Sequence, residues 1–132
     1  IRGVGDINAA IINDGEIRAD ISVAAFGNYL DLLTNNKVNN NLIGAAAGSN
    51  LYISGISIDQ TAGGMMFAND GTIRLNSATI DGGVFTATGT GSMQTNSGVS
   101  TLSGMTLNGP LGLNAAHTVL VDGDGMTNNG VI

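Results

Sequence analysis

The chain has no cysteine and no tryptophan, and it has a single proline and a single histidine. Without cysteine there are no disulfides and no thiolate metal sites. With one histidine, His117, a transition-metal centre also lacks ligands, and a lone histidine near Val119 reads as a surface or corner residue rather than a catalytic one. Positive charge is equally scarce. Arg2, Arg18, Lys37 and Arg74 are the only cations, and the formal net charge is −6. Gripping a phosphate backbone takes clustered Lys and Arg. These four are scattered, so neither nucleic acid nor an anionic membrane surface is an expected partner. No apolar run approaches the roughly 20 residues that span a bilayer as a helix. No signal peptide is visible, and the chain opens on Ile1, so it is expected to be a segment or subunit of something longer.

What is present is apolar and small. Hydrophobic residues make up 42% and charged residues 11%, with 21 glycines among 132 residues. A disordered chain would be poorer in apolar residues and richer in charge, so a packed core is expected. The polar remainder is Asn, Thr, Ser and Gly rather than Lys and Glu. That balance fits an exported repeat protein, extracellular or at a cell surface.

The apolar residues alternate in short bursts. Ile17, Ala19, Ile21 and Val23 alternate with polar neighbours, as do Leu51 and Ile53, Ile73 and Leu75, Met105 and Leu107, Leu111 and Leu113, and Val119 and Val121. Ile56 and Ile58 resume one residue out of phase after Gly55. A period of two means a strand with one face in and one face out. Gly, Asn and Ser between the bursts mark tight corners. The stretch from Val23 to Leu33 is the one place with an attempt at helical pattern. Gly27 and Asn28 break it, and it reads as a local bulge.

Repeats are the strongest signal. Asn13-Asp14-Gly15-Glu16-Ile17 returns as Asn69-Asp70-Gly71-Thr72-Ile73 and again as Asn128-Asn129-Gly130-Val131-Ile132. Three coils of about 19 residues would space these turns. In each, Asn or Asp tolerates a left-handed backbone, Gly is expected to supply positive φ, and the following Ile turns inward. Stacked Asn13, Asn69 and Asn129 side chains, with Gly15, Gly71 and Gly130, are the expected turn motif, and such amides can form ladders. An antiparallel sandwich built on Asn-Gly hairpins is the alternative.

The strings Ala68-Asn69-Asp70-Gly71-Thr72-Ile73-Arg74-Leu75-Asn76, Leu102-Ser103-Gly104-Met105-Thr106-Leu107-Asn108-Gly109 and Thr127-Asn128-Asn129-Gly130-Val131-Ile132 resemble the β-strand repeats of bacterial autotransporter-like and adhesin-like surface proteins. The resemblance covers most of the chain and is weakest from Phe26 to Asn41. It implies an all-β, right-handed parallel β-helix, and a role in surface layers, fibres or adhesion. It carries no catalytic residues.

The expectation is one β-helical domain over residues 1–132, with about seven coils at a rise of about 4.8 Å each. It is expected to act as a structural, non-enzymatic rod. The tail and head join in the same strand–corner grammar, so copies are expected to stack through their ends into a homo-oligomer or fibre, with a glycan or host-surface ligand as a further partner. Asp122-Gly123-Asp124-Gly125 is a weak calcium candidate through Asp122 and Asp124. A hard cation needs about six to eight oxygens, and Met126 falls where an EF-hand loop would need one. A carbohydrate-active enzyme would need two carboxylates about 5–10 Å apart, and Asp59 and Asp81, 22 residues apart, are the pair to check. An ice- or glycan-binding surface would need regular Thr rows, of which Thr86, Thr88 and Thr90 are the one trace. Gly89-Thr90-Gly91 is no phosphate loop, since neither Lys nor a helix follows.

Overall fold

A computed structural model describes residues 1–21 and 27–132. The chain winds as a parallel β-solenoid of about six turns. The first coil holds β1 (Arg2–Gly3), β2 (Gly5–Ile7) and β3 (Ile11–Asn13). The second holds β4 (Glu16–Ala19), β5 (Tyr29–Leu33) and β6 (Lys37–Asn39). The third holds β7 (Leu42–Ala45), β8 (Asn50–Ser54) and β9 (Ser57–Asp59). The fourth holds β10 (Met65–Asn69), β11 (Thr72–Asn76) and β12 (Thr79–Asp81). Then follow β13 (Val84–Thr88), β14 (Ser92–Ser97), β15 (Val99–Asn108), β16 (Leu111–Gly112) and β17 (Thr118–Asn128). The three strands of a coil lie on three faces. Strands pair in parallel with their counterparts in the adjacent coils, on both sides within the rod and on one side at its ends. Both β15 and β17 run around the corner from the third face to the first, which joins those faces into one continuous sheet.

Parallel registry turns the alternating bursts into columns. On the first face Ile17, Ile43, Met66, Phe85 and Leu107 stack inward. On the second face Leu30, Leu51, Ile73, Met93 and Leu111 do the same. All ten are at most 3% exposed. Fully burying one such side chain contributes about 1.5–3 kcal/mol.

Coil length varies more than a 19-residue repeat implies. Arg2 pairs with Arg18, Arg18 with Gly44, Gly44 with Phe67, Phe67 with Thr86 and Thr86 with Asn108. Only the Phe67–Thr86 step spans 19 residues. The chain therefore makes about six turns, not seven. The longest step contains the stretch between β4 and β5, part of which (22–26) lies outside the described residues. The alternation expected through Val23 ends at Ala19: Ile21 is 37% exposed, and Val23 is among the undescribed residues. The expected bulge from Val23 to Leu33 resolves at its end into β5, with Leu30 and Leu32 turned inward.

The Asn-x-Gly turns do not share one corner. Gly71 and Gly130 sit at the corner leaving the first face, whereas Gly15 sits at the corner entering it. Nor is positive φ their reason. None of the three glycines adopts it; Asp70 does, at φ 51°. Gly71 is needed because coils approach closely there. A Cβ would lie 2.8 Å from the Ala45 carbonyl oxygen and closer still to that of Ala46. Gly91 and Gly130 meet carbonyls of Ala68 and Gly109 in the same way. Gly15 has open space around it.

Two stability tests follow from these packings. Gly71→Ala should destabilise by about 1–3 kcal/mol, the usual cost of overpacking, while Gly15→Ala should be nearly neutral in the same thermal melt. Ile73→Asp should cost at least about 3 kcal/mol by burying an unpaired charge, and a melting curve that matches the parent would place Ile73 outside the core.

Candidate functional site

Outward positions on the second face also form columns. Asp6, Asp31, Tyr52, Arg74 and Gln94 are successive partners from the first coil to the fifth. Tyr29 lies two residues before Asp31 on β5, so it projects from the same face. Its ring meets that of Tyr52 edge to face, with centroids 5.8 Å apart and planes at 88°. The Arg74 guanidinium lies 6.0 Å from the Tyr52 ring centroid. It is held there by donating from Nε to Asn50 Oδ1 (2.8 Å) and from Nη1 to Gln94 Oε1 (3.1 Å). Asn76 donates to Ser54 Oγ (3.0 Å) and accepts from Asn96 Nδ2 (2.8 Å). Tyr29, Asp31, Tyr52 and Asn76 line a shallow notch of about 260 Å³.

Asp31 is the unusual member. Its Oδ1 is shielded from solvent without a hydrogen-bond partner. Burial holds its carboxyl above the ordinary pKa; the Ser54 hydroxyl opposes this, the Asp6 charge adds to it, and the Lys37 charge opposes it. A sheltered carboxylate oxygen without a donor costs free energy and calls for a partner.

The interior of the third face carries a second departure from pattern. Its inward column reads Ile11, Lys37, Ile58, Ile80 and Leu102. Lys37 is 2% exposed. Its Nζ donates to the carbonyls of Asn35 (2.6 Å) and Leu33 (3.3 Å) at the preceding corner. Burial pulls its pKa down from the usual lysine value, and the Asp31 charge partly offsets that. Beside it, Asn13 Nδ2 donates to Asn39 Oδ1 (2.7 Å), and Asn39 Nδ2 to Gln60 Oε1 (2.8 Å). Gln60 Nε2 continues to the Gly82 carbonyl (3.4 Å). Asn39 and Gln60 are fully buried. This is an interior amide ladder, and of the three expected turn asparagines only Asn13 belongs to it. Asn69 instead accepts from Thr88 Oγ1 (2.8 Å), and Asn129 donates to Asn108 Oδ1 (3.0 Å), both at exposed positions.

The remaining sequence candidates are placed as follows. Asp59 and Asp81 are direct partners on β9 and β12, as their spacing implied. They project from an open flank, and neither lines the notch. Asp59 Oδ1 accepts from the Thr61 hydroxyl (2.7 Å) and its N–H (2.9 Å), which hold its pKa below the ordinary value. Asp122 and Asp124 occupy the corner within β17, where both are exposed and Asp122 Oδ1 accepts from the Gly123 N–H (2.7 Å). Among the described residues, no three His, Cys, Asp or Glu side chains gather into a metal-holding group. Thr86 is flanked by Phe67 and Asn108 on adjacent coils, so the Thr row does not repeat along the rod. His117 sits in the turn before β17, with a sheltered, unpartnered Nδ1.

Lys37 escaped the sequence reading through phase, and the Tyr29–Tyr52 pair because only the pairing of β5 with β8 brings the two rings together. Val38 looks like the inward residue of Lys37-Val38-Asn39, and the structure puts its two polar neighbours inside instead. The spacing from Asn13 to Asn39 and on to Gln60, close to one coil each, was the available signal.

Comparison with known proteins yields no match to a family model, a curated protein or a solved structure. The class of the molecule, a parallel β-solenoid, therefore rests on its strand pairing alone.

Because burial lowers the Lys37 pKa, the unfolded chain binds more protons than the folded one between that lowered value and the ordinary lysine value. Stability should rise with pH through that window. Lys37→Met should abolish the rise and leave the protein at pH 7 as stable as the parent or about 1–2 kcal/mol more so. Denaturant titrations from pH 7 to 10.5 check both.

Proposed function

We propose that this chain is a structural segment of an extracellular bacterial surface fibre or adhesin stalk, extended by stacking of coils at its ends. One observation carries the reading. The last coil is uncovered: Val121, inward-facing above Leu102, is 52% exposed, and Val131 is 72% exposed. A strand edge with unpaired amides and bared apolar positions is a template for a further strand. Solenoids that remain monomeric usually cap this surface with polar residues.

The register of the two ends constrains how a second copy is added. Val131 accepts a hydrogen bond from Leu111 on the second face, whereas β1 belongs to the first. A copy placed in the same orientation would skip a strand on the third face. A copy whose β1 occupies that third-face position continues the pairing, and it enters rotated by about one-third of a turn. The tail-to-head join expected from the sequence thus needs this rotation.

Export and surface location are supported by the Asn, Thr, Ser and Gly-rich, Lys-poor composition. Calcium belongs to this reading only as a weak ligand of the exposed corner at Asp122 and Asp124, where no third acidic or histidine side chain joins them among the described residues.

Negative-stain electron microscopy of the purified chain tests the reading. Rods are expected in lengths that are multiples of about 30 Å, one protomer of coils at about 4.8 Å each. Val121→Asp should reduce them to single protomers without unfolding the chain. Short single particles at every concentration would overturn the stacking role. Fibres that survive EDTA would remove calcium from the reading.

A further inference from the structure

We propose that the notch formed by Tyr29, Asp31, Tyr52 and Asn76 binds a neutral oligosaccharide. This goes beyond the scaffold role and stands independently of it. Besides Asp6, Asp31 and Arg74, the outer surface of the second face carries mainly hydroxyls and amides, with two aromatic rings on its second and third coils. Hydrophobic ring faces beside a few convergent polar groups are the usual make-up of a small-ligand site. Tyrosine rings offer apolar faces to sugar C–H groups and keep a polar tip for hydrogen bonding.

The polar groups ask for hydroxyls. Asp31 lines the notch, and its carboxylate is an acceptor for a sugar hydroxyl; its Oδ1 lacks a donor but is closed to solvent, so an incoming O–H reaches it only when the side chain turns. Asn76 has spent one N–H on Ser54 and one lone pair on Asn96, and its amide keeps one donor and one acceptor site free for a neighbouring sugar hydroxyl. Next to it, Asn96 continues the same amide row one coil further along the rod. An oligosaccharide lying along the rod would meet this row after the notch.

Charge selects against the other small ligands. An anion would face Asp6 and Asp31 on one column. A cation would compete for Tyr52 with the Arg74 guanidinium, which is already near that ring and fixed by two amide oxygens. The same fixation pre-organises the ring, which lowers the ordering cost of binding.

The two tyrosines are the only ones in the chain, and there is no tryptophan. Intrinsic tyrosine fluorescence therefore reports on this notch alone. The full chain should be titrated with cellohexaose, maltohexaose, mannohexaose and chitohexaose. The expected result is a saturable change with at least one of them. Tyr29→Ala, a substitution at a half-exposed position, should weaken binding at least about fivefold, read by calorimetry, with an unchanged melting temperature. Asp31→Asn should weaken it too, and keeping the circular dichroism spectrum would show that the fold is intact. No response to any of the four up to about 10 mM would overturn the proposal. A response to choline or lysine alone would also overturn it, as would sugar binding that both variants retain.

Discussion

Everything in this molecule depends on the backbone hydrogen bonds that tie each coil to the next. They fix the distance between coils at about 4.8 Å and the register between their residues. A residue is therefore never alone: it belongs to a column, and the column decides what it can be. Apolar columns such as Leu30–Leu51–Ile73–Met93–Leu111 bury well because each member covers the next. The same spacing acts as a steric limit at the corners, where Gly71 and Gly91 lie against the carbonyls of the coil below. The abundance of glycine thus reflects close approach at some corners and left-handed backbone at others, such as Gly82 and Gly104.

Columns of interchangeable aliphatic residues leave one problem open. A strand that slips by two residues still places apolar groups inside, so burial alone specifies register weakly. The amide ladder Asn13–Asn39–Gln60 supplies the missing specificity. Its groups are satisfied by one another and by backbone carbonyls only in the observed register. A slip would leave buried amides unpaired, which costs more than their bonds contribute. Lys37, on the same face, sets no such constraint, because its ammonium bonds the Asn35 and Leu33 carbonyls of its own coil and would keep them through a slip.

How much of this could be read from the sequence follows from the same logic. The fold class was legible, because Ile73-Arg74-Leu75 and Leu51-Tyr52-Ile53 alternate without ambiguity and Asn-x-Gly turns recur. The pairing of Asp59 with Asp81 was legible too, since that step is an undisturbed coil. Coil number was not, because insertions at corners carry no periodicity, and the stretch between Ala19 and Tyr29 lengthens one coil invisibly. The corner to which each glycine belongs was also hidden. Gly15 and Gly71 share a motif but differ in what lies beneath them, and that depends on the coil below rather than on local sequence. The notch was hidden most deeply: Tyr29, Tyr52 and Asn76 are far apart in the chain and come together only through the register of three successive coils.

The chemistry of the rod is divided between its ends and its flanks. On the proposed reading, the last coil offers a strand edge and the exposed side chains of Val121 and Val131 to a further strand, with Asp122 and Asp124 at its corner. The second face is polar, amide-rich and locked by cross-coil bonds, so it resists pairing with another sheet and keeps its side chains available. The notch spans the second to fourth coils, and strand addition at the last coil would leave it uncovered. The two proposals, lengthening of the rod and binding of a sugar, therefore make no competing demand on the same atoms. If copies enter rotated by a third of a turn, successive notches face different directions around the fibre. A fibre of that kind would present its sites in three directions rather than along one line, which favours capture of a branched or multivalent surface over alignment along a single polymer.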